Sequence, residues 1–281
     1  METDAWAYLN VRHPICAWAA YRGVLVSAPT DPGFLSVWAA SMLATDNLPR
    51  VKRELSLEAW RQSNFPQLIS RLTGMYCFTD LRSAELALQW GRPENHFRVE
   101  NLAELSFAQA QITGARHDAN WIAHSSGSNW QGNYWQGIPH PEYEPIWETL
   151  VTGRLYILGT AIRAKAQNLL TRKFPDSVVL LESARVAAWL GSDLGNVAAF
   201  LFDRRKTVRL EYMIDVREAG DKSLADRMRA TTEVQGVPID TEVFQKALQI
   251  GAFKTPDFRS YGFSKPKSAL PFIPRGKPPH N

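Results

Sequence analysis

The pattern of hydrophobic and polar residues along the chain predicts strands mixed with helices. Five segments have the apolar runs or two-residue alternation of strands, at residues 20–27, 68–80, 97–114, 153–164 and 206–218. Six segments have the spacing or the boundary residues of helices, at residues 33–45, 50–62, 80–91, 173–191, 222–234 and 240–251. Because strands and helices do not alternate strictly, the pattern favours an α+β fold with a mixed β-sheet and flanking helices over a doubly wound parallel sheet.

The same pattern predicts one main body followed by a tail. We expect residues 1–216 to form an α+β domain with a catalytic-like arrangement. Residues 217–250 then form a helical C-terminal extension of that domain, and residues 251–281 a basic, proline-rich tail. A chain of 281 residues with 45% hydrophobic content is long enough to bury a full core.

Composition adds an expectation about location. No apolar run approaches the roughly 18 to 20 residues that a membrane-spanning helix requires. The N-terminus carries acids before its apolar patch and lacks the basic region of a secretory signal. We therefore expect no membrane contact and a cytoplasmic protein, with export by a signal-less route left open. Cys16 and Cys77 lie among apolar neighbours, as buried structural thiols do, with a reactive nucleophile as the alternative.

The net charge of +4 comes from the tail. Residues 251–281 hold one acidic side chain, Asp257, and six basic ones, namely Lys254, Arg259, Lys265, Lys267, Arg275 and Lys277. A basic tail of this kind contacts nucleic acid or an acidic partner, or else it lies along its own domain. Aromatic residues between the charges favour a docked tail over a disordered one.

The segment NWQGNYWQGIPHPEYEPIWETL, residues 129–150, is unusually aromatic for a loop. Gly and Pro interrupt it, which predicts irregular structure, although PIWETLVTG at 145–153 also has the pattern of a short helix. Trp130, Tyr134 and Trp135 lie among polar residues. They suit a wall that grips a planar ligand, and they equally suit a loop that needs its own small core.

Several common catalytic motifs are absent from the sequence. There is no GxGxxG after a strand, and GxxxxGK[ST], HExxH, CxxC and GxSxG are all missing. His117, Asp118, His124 and His140 form only a loose cluster whose spacing imposes no coordination geometry, so no metal site is expected.

Three pieces in chain order carry a resemblance. They are Tyr21-Arg22-Gly23 on an early apolar segment, the run from Ser70 to Phe78 that leads into an alanine-rich helix, and the aromatic loop that arrives at a glutamate. This order resembles the ADP-ribosyltransferase-like fold, whose members use an Arg or His, a Ser/Thr or Tyr, and a Glu on three strands of a split sheet. The resemblance spans roughly residues 18–165.

The resemblance implies a function and a set of site residues. The protein would cleave the N-glycosidic bond of NAD, its substrate, and modify a macromolecular acceptor. Arg22 would anchor NAD, Ser70 would support the active-site hydrogen bonds, and Tyr76 would offer its ring to nicotinamide. Glu148 would hydrogen-bond the ribose, because a carboxylate stabilises the positive charge that develops there. Glu144 is the other candidate, since Glu142-Tyr143-Glu144 is a Glu-x-Glu pair like that of arginine-modifying members.

Two alternatives stay open from the sequence. Each candidate has a structural interpretation: Arg22 in a salt bridge, Ser70 in a turn, Tyr76 in the core, and the glutamates in solvent. The chain as a whole would then be a non-catalytic binding module that docks a protein or a nucleic acid through residues 129–150 and the basic tail. Convergence of Arg22, of Ser70 or Tyr76, and of Glu148 or Glu144 in one cleft would favour the enzyme, and a scatter of all these candidates would rule out the transferase.

Overall fold

The computed structural model of the protein describes residues 3–44, 47–91, 96–125, 127, 129–235, 253–270, 273 and 275–276, with the backbone alone at 108–114 and 231–235. The strands are β1 (Ala5–Tyr8), β2 (Val24–Ser27), β3 (Phe34–Leu35), β4 (Met75–Phe78), β5 (Leu102–Asp118), β6 (Trp147–Ile157), β7 (Val197–Asp203), β8 (Thr207–Ile214) and β9 (Phe263–Pro266). The α-helices are α1 (Pro14–Arg22), α2 (Val37–Ala44), α3 (Leu48–Asn64), α4 (Leu81–Ala87), α5 (Asn120–Ala123), α6 (Trp130–Trp135), α7 (Thr160–Lys173), α8 (Val178–Trp189) and α9 (Lys222–Gln235).

The strands form two antiparallel sheets. The first has the order β2-β6-β4-β1-β5. Strand β5, at the end of this order, also forms backbone hydrogen bonds with β6. The second has the order β3-β7-β8-β9. Helices α1, α7 and α8 pack on the main core, in which Trp18, Leu155 and Leu180 are fully buried. The predicted α+β class is confirmed.

The N-terminal region differs from the sequence prediction. Residues 20–27 were expected to form one strand that carries Arg22, but residues 14–22 form α1 and only Val24–Ser27 is a strand. Pro14 stands in the first turn of α1, and Gly23 ends the helix in the left-handed conformation with φ of 89°. Arg22 is therefore the last residue of a helix. Strand β1, which precedes α1 in the chain, was not predicted.

The predicted short helix at 145–153 is also wrong. These residues begin β6, because backbone hydrogen bonds are available on both sides: Glu148 is in register with Phe78 of β4 and with His117 of β5. Gly153, expected to stop a helix, lies inside β6 with φ of 93° and pairs with Ser27. The predicted strand at 153–164 ends earlier, at Ile157, and α7 begins at Thr160.

Most other predicted elements are confirmed, although the prediction of a helix at 33–45 missed the short strand β3 before α2. Helix α4 begins after Asp80, whose Oδ1 accepts a hydrogen bond from the Ser83 backbone N–H, as an N-cap residue does. The predicted helix at 240–251 lies outside the described residues. Within the described residues, no helix is long and apolar enough to cross a membrane.

The part of the basic tail that is described lies against the body. Strand β9 pairs with β8, and the ring of Phe258 packs edge-on against Trp18 and Phe174. Lys254 pairs with Asp176 at 3.1 Å, and Lys267 pairs with Asp203 at 2.9 Å. Residues 263–266 therefore contribute a strand to the second sheet.

Both cysteines are buried and free. Burial raises the pKa of Cys16 to about 12 and raises the pKa of Cys77 as well, so both remain thiols near neutral pH. This agrees with the structural interpretation of the two residues.

Candidate functional site

A cavity of about 570 Å³ lies on one face of the neighbouring strands β1, β4 and β6. Tyr8 reaches it from β1, Tyr76 and Phe78 from β4, and Glu148 from β6. The register explains this convergence, since Phe78 pairs with Glu148 on one side and with Trp6, two residues from Tyr8, on the other. Side chains two residues apart on a strand share a face.

Helix α3 forms the opposite wall of the cavity with Arg50, Arg53 and Glu54. These positions are three and four residues apart, so they lie on one face of the helix. The helix begins at Leu48 after Asn47, whose side chain accepts a hydrogen bond from the Arg50 backbone N–H.

Glu148 is the carboxylate that sequence and structure both single out. It is the second residue of β6 and is 4% exposed. Its Oε1 accepts hydrogen bonds from the Tyr134 hydroxyl at 2.7 Å and from Nη1 of Arg71. Its Oε2 makes no hydrogen bond with the described residues, and the side chain lines the cavity. One oxygen is thus held by the protein while the other is available to a ligand.

Arg71 connects Glu148 to a second buried carboxylate. Its Nε donates to Glu54 at 3.0 Å and its Nη1 donates to the Tyr134 hydroxyl at 2.8 Å. Its guanidinium carbon lies 4.4 Å from the centre of the Tyr76 ring, within cation–π distance. One guanidinium therefore binds two carboxylates. Hydrogen bonds join four buried residues into one network: Glu54, Arg71, Tyr134 and Glu148.

Burial controls the protonation of this group. It raises the pKa of Glu148, although the charge of Arg71 and the Tyr134 hydrogen bond oppose the rise. Burial by itself lowers the pKa of Arg71, but the carboxylates of Glu148 and Glu54 raise it well above its usual value. Arg71 therefore stays charged, and Glu148 titrates at a higher pH than an exposed glutamate does.

Aromatic rings line much of the remaining wall. Trp38 of α2 lies 5.7 Å from Tyr76, and Tyr8 lies 5.2 Å from Phe97, measured between ring centres. Tyr143 stacks on His124 at 3.9 Å. A smaller cavity of about 140 Å³ shares Tyr8, Trp38 and Tyr76 with the main one and extends the space along α2.

The charges at the cavity that lack a partner are positive. No carboxylate of the described residues lies within ion-pair distance of Arg50 or Arg53, and the Arg53 Nε is buried without a hydrogen-bond partner. Burial lowers the pKa of His96 to about 4 and also lowers that of His124, so both imidazoles are neutral near pH 7. The cavity thus combines aromatic surface with two arginines that suit an anionic ligand.

Of the candidate residues, Tyr76 and Glu148 both line the cavity. Tyr134 does not line it, but its hydroxyl donates a hydrogen bond to Glu148. Ser70 does not line the cavity: its hydroxyl donates to Glu58 at 2.7 Å and accepts from the Leu72 backbone N–H in a turn. Glu144 is exposed, and its two carboxylate oxygens accept hydrogen bonds from the Arg82 guanidinium in a bidentate ion pair. Of the two candidate glutamates, only Glu148 faces the cavity.

The tryptophans of the aromatic segment do not form an open wall. Trp130 and Trp135 are 9% and 2% exposed, and they pack with Tyr134, Leu57 and Leu150 in a small core. The indole N–H of Trp135 donates to the Leu57 carbonyl at 3.0 Å. The structure supports the interpretation that these rings form a small core of their own, but the predicted irregular structure is wrong at Trp130–Trp135, which forms α6.

Arg22 also lies away from the cavity. It is fully buried, and its Nη2 and Nε donate to the backbone carbonyls of Ser192 at 2.7 Å and Leu194 at 3.2 Å. Burial lowers the pKa of Arg22 to about 10, and nearby Arg154 adds to this effect. The predicted position of Arg22 on a strand of the site is wrong, and the residue ties α1 to the turn before β7.

Replacing Arg22 by alanine should destabilise the protein by about 2–4 kcal/mol, because the buried Leu194 carbonyl loses its donor, at about 1–3 kcal/mol, and the Ser192 carbonyl keeps only the longer bond from Arg154. Urea unfolding measures the difference. The matched control is Arg217→Ala, which removes an arginine that is 83% exposed and pairs with Asp215, and which should leave the stability close to that of the wild type. Equal stability of the two variants would contradict the structural role of Arg22.

The residues of the loose histidine cluster make contacts that stabilise the fold. Asp118 accepts hydrogen bonds from the backbone N–H groups of Asn120, His140 and Ile146, and so it holds the loop before β6. The His117 ring stacks on Tyr134 at 4.7 Å. In the part of the chain that the structure describes, no group of three or more His, Cys, Asp or Glu side chains is placed to hold a metal ion.

Many residues that line the cavity were not predicted from the sequence, among them Tyr8, Arg50, Arg53, Glu54 and Arg71. One signal was available on α3, where acidic Glu54 and Glu58 share the face that also carries Val51 and Leu55. A carboxylate on the apolar face of a helix implies a buried partner. Tyr8 had a weaker signal in the alternation of Ala5-Trp6-Ala7-Tyr8, which precedes a helix marked by Pro14 and Gly23.

Comparison with known proteins gives one family match. A family model described as "Protein of unknown function (DUF2441)" matches residues 36–164. The chain is similar to that family over this span, which contains α3, Arg71, Tyr76 and Glu148 but not β1. No curated protein and no solved structure matches the chain.

Proposed function

We propose that the protein binds NAD in this cavity, cleaves the bond between nicotinamide and ribose, and transfers ADP-ribose to a macromolecular acceptor. The observation that carries the proposal is Glu148, a buried carboxylate with one free oxygen at the start of a strand, beside Tyr76 on the next strand. A Tyr and a Glu on adjacent strands match two of the three positions of the ADP-ribosyltransferase-like fold.

The reaction explains why a carboxylate is needed. As the C1′–N bond breaks, its electron pair leaves with nicotinamide, whose ring nitrogen becomes neutral, and positive charge develops on the ribose. An acceptor nucleophile then bonds to C1′ and gives up its proton. Oε2 of Glu148 accepts a hydrogen bond from a ribose hydroxyl, which stabilises the developing charge. Arg71 and Tyr134 hold the other oxygen, so the carboxylate is already oriented.

The walls of the cavity suit a dinucleotide. The ring of Tyr76 supplies a stacking surface for nicotinamide beside Glu148. Arg50 and Arg53 supply positive charge for the pyrophosphate, for which guanidinium groups are well matched donors. A volume of about 570 Å³ falls within the range of roughly 300–1,000 Å³ that is usual for small-ligand sites. The Arg or His position of that fold has no match in the cavity among the described residues, since Arg22 lies elsewhere and Tyr8 lines the cavity from the first strand.

The alternative of a non-catalytic binding module has less support. It relied on the aromatic segment 129–150 and on the basic tail. Trp130 and Trp135 of that segment are buried, and the described part of the tail lies against the body. The acceptor of the proposed reaction is a protein or a nucleic acid of the cytoplasm.

The proposal is tested by incubating the protein with NAD labelled in the adenylate phosphate and measuring nicotinamide release and label transfer. We expect release, and an Arg53→Gln variant should raise KM for NAD by about 10-fold, the effect of losing roughly 1.4 kcal/mol of a charge-assisted contact. Lys52→Gln is the matched control, since Lys52 is its exposed neighbour and does not line the cavity. Absence of both NAD binding and nicotinamide release would overturn the proposal.

A further inference from the structure

A second depression, of about 530 Å³, lies on the other sheet between β8 and the docked tail. Three arginines line it: Arg204 and Arg209 from the β7–β8 hairpin, and Arg259 from the tail. Half-buried rings of Tyr212 and Phe263 form part of its wall, and the Tyr212 hydroxyl is buried there without a hydrogen-bond partner. None of these residues belongs to the NAD cavity.

The arginines around this depression outnumber the carboxylates that pair with them. Arg204 and Arg209 share a single carboxylate, Glu211, at 3.3 and 3.2 Å. Arg259 pairs with Asp257 at 2.6 Å but is 83% exposed, so the pair is screened by water.

The tip of the hairpin adds two more cations. Arg205 and Lys206 are exposed, and no carboxylate of the described residues lies within ion-pair distance of either. On the same hairpin, Asp203 is shared by two cations of the tail, Lys267 and Arg275. The fold therefore brings the basic tail and the Arg-Arg-Lys tip of a hairpin, far apart in sequence, to one end of the second sheet.

We propose that this surface binds single-stranded nucleic acid through its phosphate backbone. A row of exposed arginines and lysines attracts a polyanion, because each neutralised phosphate releases condensed counterions. Single-strand sites combine such a basic groove with aromatic rings against which unpaired bases pack. A depression walled by guanidinium groups, Tyr212 and Phe263 has both features. The inference does not depend on NAD chemistry, although such a surface would supply an acceptor to the proposed transferase.

The test measures binding of a fluorescein-labelled single-stranded oligonucleotide of mixed sequence to the full chain by anisotropy at several salt concentrations. We expect a Kd of roughly 1–10 μM near 100 mM salt, weakening steeply as salt rises. An Arg205→Glu/Lys206→Glu variant should bind about 10-fold more weakly, and its log–log salt slope should be smaller by about 1.4, which is 0.7 for each lost phosphate contact.

The matched control is Arg172→Glu/Lys222→Glu, which changes the net charge by the same amount at exposed positions on α7 and α9. This control should keep its affinity within about threefold of the wild type, since neither of its residues lies on the β7–β8 hairpin or in the basic tail.

Three outcomes would overturn the proposal. The first is equal weakening by both double variants, which indicates only a net-charge effect. The second is equal or tighter binding of duplex DNA, which contradicts a single-strand site. The third is preferential binding of polyglutamate, which indicates an acidic protein partner instead. Circular dichroism of each variant separates loss of binding from loss of folding.

Discussion

Replacing Glu148 by glutamine should lower the rate of nicotinamide release by about 100- to 1,000-fold, the usual effect of removing one preorganised group that stabilises charge in a transition state. Glutamine keeps the size of the side chain and an oxygen that can accept from Arg71 and Tyr134, but it puts an NH2 donor in place of Oε2 and carries no negative charge. Because the charge is needed mainly when the ribose becomes positive, we expect KM for NAD to change by less than about threefold. The initial rate and KM are measured by chromatography of released nicotinamide.

The chain offers a matched control for this experiment. Glu144→Gln removes an exposed carboxylate four residues earlier, which pairs with Arg82 outside the cavity. It should leave the rate within about twofold of the wild type, since surface pairs contribute little. A similar loss in both variants, or a loss in Glu144→Gln alone, would show that Glu148 is not the carboxylate that acts on the ribose.

The rate should also depend on pH in a direction that follows from the position of Glu148. Burial raises the pKa of Glu148, and the proposed reaction requires its ionised form. The rate therefore falls as the pH is lowered through this raised pKa, and the fall begins at a higher pH than an exposed glutamate would give. The Glu148→Gln variant should lose this acid limb.

Replacing Arg71 by methionine should destabilise the protein by about 3–5 kcal/mol, because the carboxylates of Glu54 and Glu148 would stay buried without a cation. For a chain of this length, the loss corresponds to a fall in Tm of roughly 10 °C. Differential scanning calorimetry at pH 7 measures it. Nicotinamide release should be lost as well, since Oε1 of Glu148 loses one of its two donors.

A second substitution and a change of pH test the cause of this loss. Adding Glu54→Gln to Arg71→Met removes one of the two unpaired carboxylates and should recover part of the stability. In Arg71→Met the pKa of Glu148, which burial raises, is no longer opposed by the charge of Arg71, so folding binds a proton and the deficit shrinks as the pH falls from 7 toward 5. A deficit that does not change with pH, in both the single and the double variant, would contradict the electrostatic explanation.

The sequence predicted the outline of the fold because its signals there are local. The strand Met75–Phe78 and the helix that follows Asp80 have alternation and a capping residue within a few positions of each other. The strand at Glu148 was misjudged because a Pro and a Gly at helix-like spacing outweighed a pairing that depends on β4 and β5, which are distant in sequence. Only tertiary hydrogen bonding decides such a segment.

The candidate site could be predicted only in part for the same reason. Tyr76 and Glu148 were found because a family resemblance named the type of residue and the order. Arg22 was chosen as an arginine on an early apolar strand, but residues 14–22 form a helix that ends at Gly23, and the side chain donates to Ser192. Arg71 and Glu54 are 17 positions apart, and only the packing of α3 across the sheet shows that they meet. Nothing local in the sequence indicates that contact.

The most direct test of the central claim is a crystal structure of the protein with a non-cleavable NAD analogue. We predict the nicotinamide ring against Tyr76, a ribose hydroxyl within hydrogen-bond distance of Oε2 of Glu148, and the pyrophosphate in contact with Arg50 or Arg53. An analogue bound elsewhere, or one whose ribose does not approach Glu148, would contradict the account.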